Sequence, residues 1–272
     1  MVIKKLFLFG ATCIPMLLSG QEIVSDEQYR HAESLKKSYR DASAVINDSE
    51  IRFEFERNSE GQPLLVQTDH DKYVSLRMNH SLQLVYYYDN YSSVHHHKVY
   101  NHRGKTEYVT PVCGTMQIDG IFYHDEKFCG YSLPFQSFGE AREFEIKKEY
   151  EDIKYMTTYF LGERYPVEYR KVVVEIPEWL DLEIREFNFK GYSIDKTIAV
   201  KPDGTREIAY ELKDMVAMNS EPLSRGIAFV YPHLLFMPKS YTWKDEEHTL
   251  IGSRDDLYAW YYSLLDRDPA SE

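Results

Sequence analysis

Apolar and polar residues alternate with a period of two along most of the chain. "IRFEFER" (51–57) places Ile51, Phe53 and Phe55 on one side and charges on the other, the pattern of a strand with one buried and one wet face. "REFEIKKEYED" (142–152), "VEYRKVVVEIP" (167–177), "LEIREFNF" (182–189) and "TREIAYELKD" (205–214) repeat it. Turn residues separate these runs: Ser59-Glu60-Gly61, Lys190-Gly191 and Pro202-Asp203-Gly204, the last a compact hairpin connection. A dozen or so short strands with no amphipathic helices between them predict an all-β fold, an antiparallel β-sandwich over residues 40–240.

Two segments break the pattern towards helix. Ser25 followed by Gln28 is a weak capping box for a polar helix or flexible lead-in within residues 21–39. "SRDDLYAWYYSLLDR" (253–267) offers Ser253 as a cap and Asp255 and Asp256 at the positive end. Along that short C-terminal helix Leu257, Trp260, Tyr261 and Leu264 fall on one face, and Tyr258, Tyr262 and Leu265 on a second beside it. One contact cannot bury two apolar faces. Trp260 is therefore expected to dock on the domain, leaving Tyr258, Tyr262 and Leu265 as an interaction surface. Residues 241–272 read as linker and exit helix. Residues 215–254 lose alternation and contain three prolines in their middle stretch, as irregular wrapping or a sheet edge would.

The first twenty residues change the setting. Lys4 and Lys5 precede an apolar run from Leu6 to Leu18, then Ser19 and Gly20, the order of a secretory signal peptide and too short for a comfortable bilayer span. Cys13 sits inside the apolar run after Gly-Ala-Thr, which departs from a lipobox. The expectation is an exported protein, periplasmic or secreted, with no membrane span after cleavage. Removing Lys4 and Lys5 takes the net charge from −12 to −14, the wrong sign for a protein that binds nucleic-acid backbone. The 23 tyrosines and 14 phenylalanines favour strands.

Candidate chemistry is sparse. In a strand from Val94 to Tyr100, His95 and His97 would share a face, and a pair at that spacing can reach one Zn²⁺. A third ligand must then be found, and His80 or His124 have no independent claim. An ordinary hairpin needs nothing more: Asn101-His102-Arg103-Gly104 turns and "KTEYVTPV" (105–112) returns as the partner strand. Cys113 and Cys129 lack a neighbouring activating histidine or helix N-terminus, so neither is expected to be a nucleophile. They form either a disulfide or two buried free thiols; if Asp119-Gly120 is a two-residue turn, Cys113 faces about position 126 instead. The acidic runs "HDE" (124–126) and "KDEEH" (244–248) read as solvated surface, and no phosphate loop or nucleophile elbow is present. No catalytic, cofactor-binding or metal-binding residue is predicted. Tyrosines in strands read first as packing, and secondarily as stacking platforms for sugars or peptides.

Several stretches in order, "YRDASAVI" (39–46), "HHHKVYNHRGKTEY" (95–108), "FGEAREFEIKKEYEDIKYMTTYFLGERYPVEYRKVVVEIPEWLDLE" (138–183), "YELKDMVAMNSEP" (210–222) and "YTWKDEEHTLIGSRDDLYAWYYSLL" (241–265), resemble the bacterial exported domain of unknown function that precedes a transglutaminase-like core. The likeness spans about residues 39 to 265. It implies a β-sandwich accessory domain without assigned chemistry, whose partner is a transglutaminase-like or papain-like catalytic domain in cis or in trans. In the family a Cys-His-Asp core would follow the exit helix; the sequence ends at Glu272, so no catalytic residue carries over. The expected function is a noncatalytic interaction module that packs against, or presents substrate to, such a domain. The alternative is an exported glycan- or peptide-binding sandwich acting alone.

Overall fold

The computed structural model describes residues 24–117, 124–219 and 225–265. The signal segment 1–20 and the Asp119-Gly120 turn lie outside the described residues. Helix α1 (Asp26–Ser38) opens the described chain. Fifteen strands follow: β1 (Ala44–Arg57), β2 (Pro63–Ser75), β3 (His80–Tyr88), β4 (Ser92–Asn101), β5 (Thr106–Glu107), β6 (Val112–Thr115), β7 (Lys127–Phe135), β8 (Ala141–Tyr150), β9 (Thr158–Phe160), β10 (Val167–Ile176), β11 (Leu180–Phe187), β12 (Ser193–Val200), β13 (Arg206–Met215), β14 (His233–Trp243) and β15 (Glu246–Thr249). Helix α2 (Arg254–Leu265) ends it. The fold is all-β, and its sheets are not closed.

One eight-stranded sheet runs β12-β13-β10-β1-β2-β8-β4-β5, and two smaller sheets, β3-β7-β6 and β11-β14-β15 with β9 on β14, complete the set. Both small sheets share the large sheet's inner face. Phe144 on β8 packs 5.0 Å from Tyr131 on β7, and Phe53 on β1 packs 5.2 Å from Phe236 on β14. The alternation explains this: Ile51, Phe53, Val172, Val174, Ile208 and Tyr210 are buried in one common core. On the opposite face α1 lays Ala32 and Leu35 against Val45, Val74 and Ala141. The lead-in is thus a packed helix. Its capping box forms as expected, with the Gln28 N–H donating to Ser25 Oγ at 3.2 Å and the Ser25 N–H to Gln28 Oε1 at 3.0 Å.

Four expectations are corrected or made more precise. The sandwich is not wholly antiparallel, because β1 and β10 pair in parallel, with Ile51 opposite Val172. The return strand "KTEYVTPV" is cut short: β5 pairs with β4 only at Glu107 and Thr106, and the chain then leaves to build β6 in another sheet. Residues 233–249 are not irregular wrapping but the β14–β15 hairpin, so the β unit continues past residue 240. Finally, Cys113 faces Cys129 across β6 and β7, joined as a disulfide with Cα atoms 4.1 Å apart.

Candidate functional site

The two small sheets do not meet over the large one. Between β3, the edge of one, and the β9 region of the other lies a cleft of about 470 Å³. Strand β2 is its floor. Its inward positions are Leu65, Gln67, Asp69, Asp71 and Tyr73, all buried, so three consecutive inward side chains are polar where an apolar stripe would ordinarily sit. Tyr86 on β3, Tyr150 on β8, Tyr159 on β9 and Tyr165 beyond it contribute aromatic walls, with Glu163 and Arg164 beside them.

A fully buried arginine holds one end of this floor. Arg170, on β10, has no accessible surface. Its Nε donates to Ser49 Oγ on β1 at 2.9 Å, Nη1 to the Leu161 carbonyl at 3.2 Å and to Glu163 Oε1 at 3.3 Å, and Nη2 to Asp71 Oδ1 at 3.4 Å. Ser49 lies directly opposite Asp71, so the polar line crosses three adjacent strands. Burial alone would depress the guanidinium; the surrounding Tyr159, Glu163, Asp71 and Asp69 raise it instead. Asp71 also accepts from the Tyr73 hydroxyl at 3.2 Å. Glu163 is crowded by protein, which raises its carboxyl against the pull of Arg170, yet 41% of its side chain stays accessible, as befits the lip of a concavity.

Asp69 differs. Its hydrogen bond is from Gln67 Nε2 to Oδ1 at 2.8 Å, and among the described residues no cation comes within ion-pair distance of it. Burial first, then Asp71, pushes its carboxyl up to about 7. The phenols of Tyr86, Tyr150 and Tyr159 are all raised by burial and then, among other groups, by the Asp69 charge. Lys148, also on this rim, gives its Nζ to the Tyr87 carbonyl at 2.7 Å, and burial lowers its ammonium.

The sequence-derived candidates lie elsewhere. His95 and His97 do not share a face. His96 adopts φ 52° and the ladder with β8 shifts between His95 and Lys98, so a bulge reverses the alternation. His95 Nε2 reaches Glu149 Oε2 at 4.0 Å on the outer side, whereas His97 lies 4.9 Å from the buried Tyr131 ring and bonds the Val109 carbonyl at 3.0 Å. Among the described residues no three His, Cys, Asp or Glu side chains gather into a possible metal site. The disulfide leaves neither cysteine a thiolate. On α2, the Asp256 N–H donates to Ser253 Oγ at 3.2 Å, and the Trp260 ring meets Tyr155 edge-on at 5.6 Å. Tyr258 and Tyr262 are exposed, but so are Leu257 and Tyr261, which the helical face had assigned to the docked side. The side chains of Leu264 and Leu265 lie outside the described set. Sequence reasoning missed the cleft because "QTDHDKY" (67–73) has no apolar face; its signal is a strand polar on both sides.

A scan against models of known protein families finds no match, and a search of curated proteins returns none. Solved structures do align. A "putative protease" from Parabacteroides distasonis superposes with a TM-score of 0.52 at 14% identity, over 71% of this chain and 40% of that one. This likeness speaks to the fold alone, and the chain spans 40% of that protein's length. A "putative nutrient binding protein" from Legionella pneumophila aligns with a TM-score of 0.37 at 11% identity, over 84% of this chain and 74% of that one. An M1 zinc metallopeptidase from Deinococcus radiodurans gives 0.38 at 10% identity, over 74% and 44%.

Proposed function

We propose that the protein is a noncatalytic, exported binding module whose working site is the tyrosine-lined cleft over β2. The observation that carries this reading is the floor itself. A protein does not bury Gln67, Asp69 and Asp71 on the core side of a strand without cost, since desolvated polar groups are destabilising unless they are fully partnered. A concave site with aromatic walls and a few convergent polar groups is how ligand pockets are built. Peptides and glycans are the ligand classes with the size and hydrogen-bonding groups for it. Export is supported by the signal-like N-terminus and by the disulfide, which suits an oxidising compartment. The test is binding of the purified protein to peptide and oligosaccharide arrays, repeated with Tyr86→Phe/Tyr159→Phe. Saturable binding that weakens when the two hydroxyls are removed is expected; binding unaffected by them, or none, would sink the reading.

A second reading, association with a transglutaminase-like catalytic domain, is favoured by α2, where Leu257, Tyr258, Tyr261 and Tyr262 face solvent around a single docked tryptophan. It is also compatible with the occurrence of a similar fold as 40% of a longer chain. Mixing this protein with an isolated transglutaminase-like domain and measuring association, with Tyr258→Ser/Tyr262→Ser as the control, decides it.

A further inference from the structure

We propose that the cleft recognises an organic cation of side-chain size, an ammonium group such as that of a lysyl residue, seated against Asp69 and beside the Tyr86 and Tyr159 rings. This deepens the ligand-binding reading and rests on it. The charges on the floor are unequally satisfied. Arg170 spends its nitrogens on Ser49, the Leu161 carbonyl, Glu163 and Asp71, so the protein's own buried cation hydrogen-bonds two of the three carboxylates, and its one charge leaves the floor net negative. Asp69 keeps one amide bond from Gln67 and faces the cavity.

The walls suit the same guest. The hydroxyls of Tyr86 and Tyr159 have no hydrogen-bond partner among the described residues, although both side chains are enclosed enough for burial to dominate their ionisation. A phenol oxygen can accept from an N–H donor, and a ring face attracts a cation. An ammonium group brings three donors and one positive charge, which are what a lone carboxylate and unpartnered phenols lack. A neutral sugar would satisfy the hydroxyls but leave the Asp69 charge uncompensated. An anion would meet Asp69, Asp71 and Glu163 together. Lys148 occupies the neighbouring position: its Nζ lies 4.5 Å from the Tyr150 ring centroid and donates to the Tyr87 carbonyl at 2.7 Å, without coming within ion-pair distance of Asp69, so the guest is left the Tyr86 and Tyr159 side of the floor. Arg164 stands exposed at the rim. The burial that pushes Asp69 towards its neutral form is relieved when a cation arrives, so ligand binding and ionisation of this carboxyl reinforce one another.

The experiment is an NMR titration of the full chain with three probes: Nα-acetyl-lysine methylamide, its Nε-acetylated form, and a neutral disaccharide. The expected result is that the charged lysine shifts resonances of residues 67–73 and Tyr86, at least tenfold more tightly than the acetylated form. Asp69→Asn, which can keep the Gln67 bond, should weaken the charged probe tenfold or more. Equal binding of the acetylated probe, or tighter binding of the disaccharide, at these same resonances would overturn the cation proposal while leaving the cleft a ligand site. Absence of any shift with the charged probe at millimolar concentration would overturn the proposal outright, and the array experiment then judges the broader reading by itself. Comparing the two lysine probes needs no variant, so a folding defect in Asp69→Asn does not remove the test.

Discussion

Asp69 and Arg170 are the residues whose chemistry is least like their ordinary selves. For Asp69 the folded-state carboxyl, near 7, lies above its ordinary value of 3.8. Between those values the native state holds more proton than the unfolded one, so this group's contribution falls as pH rises from about 4 to about 7 and is level above. The full effect is on the order of 4 kcal/mol. Asp69→Asn should therefore gain stability relative to the parent as pH rises from 4 to 8. Urea unfolding at a series of pH values measures this, and parallel curves for the two proteins would refute it. Arg170→Met should lose about 3 kcal/mol, because it strands the buried Asp71 charge; a change below about 1 kcal/mol in urea midpoint analysis would show that the pair is already relaxed by water. Neither residue is prominent in the sequence. A lone arginine in "VEYRKVVVEI" reads as the wet side of a strand, and only the strand pairing shows that position 170 points inward beside Ser49. The three histidines were equally opaque, since identical neighbours carry no record of where a bulge falls.

At the scale of the element, turns and caps were legible and registers were not. The Gly61, Gly191 and Gly204 turns all use positive φ as their sequences predict. The first has an added constraint: a Cβ on Gly61 would come within 2.2 Å of the Trp243 ring, which with Trp179 flanks the Arg57 guanidinium. Gly61→Ala should thus cost more than backbone strain alone, about 3 kcal/mol, whereas Gly104→Ala, also at positive φ but with open space around it, should cost about 1 kcal/mol. Thermal unfolding of the two variants side by side checks the difference; equal losses would show that the tryptophan moves aside freely. Strand β14 escaped notice because Pro238 lies inside it and its sides are not cleanly polar and apolar. It tolerates the proline where the pairing with β11 shifts register. The cysteine register depended on a connection that no local residue type specifies.

For the molecule as a whole, the all-β class followed from the period-two runs, but the division of the inner face between two small sheets did not, and the cleft is a product of that division. Helix α2 is attached to this body through Trp260 and Tyr155, with Leu257, Tyr258, Tyr261 and Tyr262 outside. Deleting residues 253–272 should accordingly raise solubility and leave the β-type circular dichroism and cooperative melting intact; loss of the melting transition would make the helix part of the core. The parallel pairing of β1 with β10 has a consequence in time. As the chain is made, β1 finds one neighbour at once, β2, but the other, β10, is separated from it by eight strands of chain, and Ile46 must wait for Val167. Until then one flank of β1 is an open edge of unpaired peptide groups beside Phe53 and Phe55, the kind of surface that recruits foreign strands. A pairing of such long range also makes for slow refolding, on the order of milliseconds to seconds. The growing chain is exposed while the residues between β1 and β10 are made, and the closing of β10 against β1 ends that exposure.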